Sequence, residues 1–334
     1  MTPLLKLLKW LTILTTLFFG QATFASVEEG LALLQQDEIF LAIDAMQPEI
    51  GAEDPEALFW QARIYMSMGG MERFEIGRLL LRSAEQGYPW AMMNLVESDY
   101  EHCRYFMLPC DDKWFDKAIE KWQQLAANGD GKAMFMLAKH KDTWRKYVPY
   151  LAHRTRVAQY EQALEMGANR AAIALYNELS QHQDIKDPAI REQAVKYLTV
   201  AAERNYAPAM VELSHFEDIT GKNDKERYLR QAMELGFAEA ASLLAEPYAW
   251  VDSDEPGGIG YKVKTDNTPE EWEKYYTLSK IEEGLDTKYG TSLARERLFS
   301  NKLKPETMAK LDQEVAEFLI KVKPNRFYDE TNLY

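Results

Sequence analysis

The sequence predicts an all-α solenoid of stacked helix hairpins. Three observations carry that expectation. A helix-stopping residue recurs along the chain. An alanine four positions later and a leucine four after that follow every stop. Successive stops lie 42, 38, 38 and 31 residues apart, a period of helical repeats.

The N-terminal stretch "MTPLLKLLKWLTILTTLFFGQATFAS" comes first. Lys6 and Lys9 precede an apolar run from Trp10 to Phe19, and small residues follow. Thr23 and Ala25 stand three and one positions before a cut ahead of Ser26. That layout predicts a secretory signal peptide over 1–25. The apolar run is short for a membrane span, which needs about 20 residues. No span is therefore expected after cleavage.

The five copies are "AEQGYPWAMMNL", "AANGDGKAMFML", "ALEMGANRAAIAL", "AAERNYAPAMVEL" and "AMELGFAEAASLL". Their stops are Gly87, Gly129, Gly167, Asn205 and Gly236. Glycine, and asparagine after it, accepts the left-handed backbone that a helix C-terminus requires. The alanines are Ala91, Ala133, Ala171, Ala209 and Ala240; the leucines are Leu95, Leu137, Leu175, Leu213 and Leu244. That spacing keeps each pair on one face of a new helix. Alanine admits a neighbouring helix closely, and leucine fills the space beside it. Upstream of the stops lie further amphipathic segments, as in "DKWFDKAIEKWQQLAANG" with Ala118, Trp122 and Ala126. The unit is helix, tight turn, helix. One hairpin cannot bury its apolar face alone, so neighbours must stack.

These residues resemble the Sel1-like repeat family, an offshoot of the tetratricopeptide helical repeats. The match is the alanine pair before glycine, then alanine, then leucine. Val96, Tyr176 and Ser214 depart from it, standing where the family favours glycine. "PEALFWQARIYMSMGG" resembles the other half of a repeat, with Ala57, Ala62 and Tyr65. "PYAWVDS" resembles the opening of a last repeat, and "LKPETMAKLDQEVAEFL" a closing helix. The resemblance implies a right-handed solenoid over 26–250, a loop insertion over 251–268, and capping helices with a tail over 269–334. It also implies a non-enzymatic scaffold for protein–protein interaction, placed in the periplasm or envelope of a Gram-negative bacterium.

Composition narrows the partners. The chain has 334 residues and a net charge of −14 at pH 7. Nucleic acid needs a surplus of Lys and Arg, so it is not expected as a partner. The two cysteines, Cys103 and Cys110, read as one disulfide in an exported chain. Free thiols, or a metal site with His102 and Asp111, are the alternatives. The metal reading finds no second ligand pair at zinc spacing.

Other chemistry is thin. Gly257, Gly258 and Gly260 lack the Gly-Lys-Ser/Thr of a phosphate loop. Asp252, Asp254 and Gly257 have a calcium-loop flavour, but Val263 stands where the closing Glu belongs. His102, His140, His153, His182 and His215 form no paired metal motif. No catalytic residue, cofactor or metal is expected. An envelope hydrolase acting on cell-wall or peptide material is the alternative. It would require one of the histidines to meet a carboxylate in a pocket. Trp60, Trp90, Trp114, Trp122, Trp144 and Trp250 read as packing between hairpins. The exception is the pair Tyr88 and Trp90, expected to be exposed near the cysteine loop and to anchor a protein or peptide partner.

Overall fold

The computed structural model describes residues 27–68, 73–96, 100–140, 149–182, 187–252, 261–286 and 293–331. The signal-peptide reading, Trp144 and Gly257, Gly258 and Gly260 lie outside them. Among the described residues there are eighteen helices and two short strands. The chain divides into two compact units, 38–112 with the residues before Gln35, and 113 onward with Gln35–Asp37.

In the first unit the helices are α1 (Val27–Gln35, its last residue Gln35 belonging to the second unit), α2 (Ile39–Gly51), α3 (Pro55–Ser67), α4 (Arg73–Glu85), α5 (Pro89–Asn94) and α6 (Tyr100–Tyr105). Asp54 caps α3: its Oδ1 accepts from the backbone N–H of Glu56 at 3.0 Å and of Ala57 at 2.9 Å. Helix α3 is the centre of this unit, with Leu58, Phe59, Trp60 and Ile64 at most 1% exposed.

The second unit holds α7 (Lys113–Ala127), α8 (Gly131–His140), α9 (Pro149–Glu165), α10 (Arg170–His182), α11 (Pro188–Glu203), α12 (Ala207–Ser214), α13 (Glu217–Thr220), α14 (Lys222–Glu234) and α15 (Ala238–Ala249). Successive long helices pack on one another along the chain. The strands β1 (Trp250–Asp252) and β2 (Tyr261–Val263) pair antiparallel. They put a small ribbon where the sequence predicted only a loop. Then come α16 (Pro269–Leu285), α17 (Leu293–Lys302) and α18 (Pro305–Lys321). Thr268 and Glu271 form a reciprocal capping box that starts α16. Trp272, Tyr275, Tyr276 and Phe299 pack with Ala245 and Ala249 into a terminal aromatic core.

All five stop residues have positive φ: 96° at Gly87, 95° at Gly129, 96° at Gly167, 60° at Asn205 and 86° at Gly236. Each donates its N–H to the carbonyl three residues back, and the next residue reaches five back. Gly129 bonds Ala126 at 3.0 Å and Asp130 bonds Leu125 at 3.1 Å. Asn205 bonds Ala202 at 2.9 Å and Tyr206 bonds Ala201 at 3.1 Å. This paired closure is the Schellman motif, which satisfies the last carbonyls of the helix and turns the chain back. The same paired bonding closes helices at Glu53 (φ 65°) and Met107 (φ 53°), and beside Asp37 (φ 64°) the Glu38 N–H reaches Leu33 five back. The sequence pattern missed them because none is glycine or asparagine and none is followed by alanine at four and leucine at eight.

Behind the stops, the five alanines Ala91, Ala133, Ala171, Ala209 and Ala240 are fully buried. Leu95, Leu175 and Leu213 are also 0% exposed and Leu137 is 5%. Leu244 is only half-buried. It stands in the last copy, where Ala245 and Ala249 face the aromatic core instead. Gly131 opens α8 against the following turn: a Cβ there would lie 2.7 Å from the Met166 carbonyl oxygen.

Candidate functional site

Two neighbouring features of the second unit carry exposed chemistry. The first is the seat of the C-terminal tail. After α18 the chain runs without helix or strand from Val322 to Asp329. Its backbone is held as a sheet neighbour would hold it. The Gln35 side-chain amide pairs with both backbone groups of Tyr328: Oε1 accepts from the N–H at 2.7 Å, and Nε2 donates to the carbonyl at 2.6 Å. Asn325 donates its N–H to the Gly236 carbonyl at 2.9 Å. Gly236 therefore serves twice, as a helix stop and as a seat. A Cβ on it would come within 2.0 Å of the Lys323 carbonyl oxygen.

Side chains fix the register of the tail. Phe327, at φ 53°, meets Tyr206 and Phe237 edge to face, with centroids 5.7 and 5.8 Å away. Arg326 reaches Asp286 with Nη1 at 2.6 Å and Nη2 at 2.8 Å, and Asp37 at 3.1 Å. Lys132 of α8 meets Glu330 at 2.6 Å. Burial pulls the Lys132 pKa down, but the Glu330 carboxylate outweighs it and the net direction is up. Burial, then Asp329, pushes the Tyr206 phenol up to about 12.

The second feature is a pocket of about 270 Å³ between α8, α9 and α10. Phe135 and Tyr160 form one wall, with ring centroids 5.4 Å apart. Lys139, Arg170, Asn177 and Glu178 supply its polar groups. Burial first, and then Glu178, pushes the Tyr160 phenol up to about 12, so it stays protonated. Lys139 is exposed as a residue, yet its ammonium loses solvent. Its pKa lies below the ordinary lysine value, first through burial and then through the Arg170 guanidinium.

The pocket answers the histidine question in part. His153 Nδ1 stands 3.0 Å from Glu178 Oε2. The same carboxylate receives Arg156 Nε at 2.6 Å and Nη2 at 3.3 Å. Glu178 is thus held by an arginine fork. His140 stacks on Trp122 instead, 5.9 Å between centroids, and burial followed by Lys139 lowers its pKa to about 4. The side chains of His102 and His182 are outside the description. Among the described residues no group of three or more His, Cys, Asp or Glu is placed to hold a metal ion. No helix among them is long and apolar enough to cross a membrane.

The remaining sequence candidates lie in the first unit. Cys103 and Cys110 are joined, with S–S 2.03 Å and Cα–Cα 6.1 Å. The bridge spans the end of α6, where Met107 takes φ 53° and Leu108 bonds back to Cys103 at 2.9 Å. The expected exposure is corrected at Trp90, which is only 5% exposed, while Tyr88 is half-buried. The Trp90 ring packs on Tyr88 at 5.2 Å, and Tyr88 on Phe59 at 5.2 Å. Pro89 starts α5 between them, and Tyr88 carries the stack onto Phe59 of α3. Trp60, Trp114 and Trp122 are buried as well. Sequence reading missed the tail seat altogether, because its partners lie up to 293 residues away.

No family model and no curated protein matches the chain. Among solved structures, it is similar to a protective antigen of uropathogenic Escherichia coli described as displaying an SLR fold. Identity is 16% and the TM-score 0.45, covering 85% of this chain and 57% of that one. The chain thus spans little more than half of that protein. A Sel1 repeat protein from Oxalobacter formigenes is similar at 17% identity and TM-score 0.43, over 78% of this chain and all of that one. An immunity protein from Pseudomonas aeruginosa is similar at 15% identity and TM-score 0.39, over 78% of this chain and 82% of that one.

Proposed function

We propose that this chain is an exported, non-enzymatic repeat scaffold that binds segments of other proteins in the periplasm or envelope of a Gram-negative bacterium. The observation that carries the reading is the seated tail. The repeat helices here already hold a non-helical peptide segment, by backbone pairing at Gln35 and aromatic and ionic contacts at Phe327, Arg326 and Glu330. A partner segment needs the same kinds of contact. Export is supported by the leader-like N-terminus and the disulfide, which persists in an oxidising compartment.

The experiment is calorimetric titration of the synthetic peptide Val322–Thr331 into the full chain. An Arg326→Ala/Phe327→Ala variant has a weakened tail and is expected to bind the peptide. The wild type, with its seat filled, is expected not to. No binding to a folded variant removes the support. Turnover of cell-wall fragments or peptides by the wild type would favour the hydrolase alternative.

A further inference from the structure

Helix α8 carries two lysines seven residues apart, Lys132 and Lys139, which share a face. Lys132 has an acidic partner in Glu330, itself 10% exposed. Lys139 has no carboxylate partner among the described residues, and Arg170 is the charge it feels. Arg170 Nη1 is buried without a hydrogen-bond partner. A buried charged donor with no acceptor is costly, and such groups are normally satisfied. The one pocket carboxylate, Glu178, is already engaged by Arg156 and His153. In a chain of net charge −14, these two cations have no anion among the described residues, beside an aromatic wall.

Lys132 sets a precedent: the tail brings the Glu330 carboxylate to α8, three residues after a ring that packs on Tyr206 and Phe237. We propose that the pocket between α8, α9 and α10 is a second peptide subsite. It takes an acidic side chain between Lys139 and Arg170, and the neighbouring aromatic side chain against Phe135 and Tyr160, from an extended segment of a partner protein. Asn177 and Gln181, on the same pocket lining, offer amides for that segment's backbone, as Gln35 does for Tyr328. The proposal rests on the scaffold reading and gives its partner a chemistry: acidic and aromatic residues in alternation.

The test is fluorescence anisotropy with a labelled peptide of alternating aspartate and phenylalanine, and with its asparagine counterpart. The full chain is compared with Lys139→Gln/Arg170→Gln, and folding is checked by circular dichroism. The aspartate peptide is expected to bind the wild type, to bind more weakly as salt rises, and to lose at least about tenfold in affinity to the double variant. The asparagine peptide is expected not to compete. If Arg170→Gln impairs folding, Lys139→Gln alone reads the same loss. Equal affinity in the variant, no binding to the wild type, or displacement by inorganic phosphate at matching concentration would each overturn the subsite. The peptide titration at the tail seat separates the two readings. Binding there without binding here removes the subsite and leaves the scaffold.

Discussion

Gly129 and Gly131 stand two residues apart and resist a side chain for different reasons. Gly129 has φ +95° with nothing within 4 Å of an added Cβ, so only the backbone objects. Gly129→Ala is expected to cost about 1–2 kcal/mol, and Gly129→Val more, because β-branching adds restriction. At Gly131 the objection is a neighbouring carbonyl at 2.7 Å. Gly131→Ala must push α8 off the next turn and is expected to cost about 1–3 kcal/mol. Asn205→Gly, at the one stop of the five that lacks glycine, is expected to be neutral or slightly stabilising. Urea unfolding of the variants checks the ranking. The five glycine and asparagine stops were legible because the pattern repeats. Asp37 and Glu53 were not, because their left-handed backbone comes from the helices they join. Gly131 was not, because close approach is decided by a partner 35 residues downstream.

Helix α8 shows how one element couples acid to stability. Its last residue, His140, has a folded pKa of about 4 against an ordinary 6.5, first through burial and then through Lys139. Between those values the unfolded chain binds the extra proton, so stability is whole above pH 6.5 and falls as pH drops toward 4. The loss amounts to at most about 3 kcal/mol. His140→Phe is expected to flatten the melting temperature between pH 6.5 and 4.5 relative to the wild type. Parallel slopes would deny His140 that role. At α6, reduction of the Cys103–Cys110 bridge is expected to cost about 2–3 kcal/mol, as its loop is short. The effect is expected in the first unit, read by the near-ultraviolet signal of its tryptophans. The bridge was legible from cysteine count and context. The burial of Trp90 was not: proximity to a loop gives no information on which way a ring turns, and Trp90 packs on Tyr88, which packs on Phe59 of α3.

At the scale of the whole molecule, the second unit is closed by its own residues after α18. Arg326, Asp286 and Asp37 are each 14% exposed or less. Removing the guanidinium leaves two carboxylates near each other without their cation. Arg326→Met is therefore expected to destabilise this unit by about 3–5 kcal/mol. Limited trypsin digestion is expected to cut after Lys321 in the variant and not in the wild type. The repeats themselves were legible from the sequence, since each copy repeats one local solution. The tail was not, for its contacts reach Gln35, Asp37 and Gly236 and have no local period.

The central claim is that this repeat unit binds partner segments. The measurement that tests it most directly is photo-crosslinking in intact cells, with a photoreactive residue at Asn177 and a control at Lys310, an exposed position on α18. One discrete partner adduct from position 177, reduced by Lys139→Gln and absent from position 310, is the result the account predicts. No adduct at position 177, with hydrolysis of wall or peptide material by the purified chain, would contradict it.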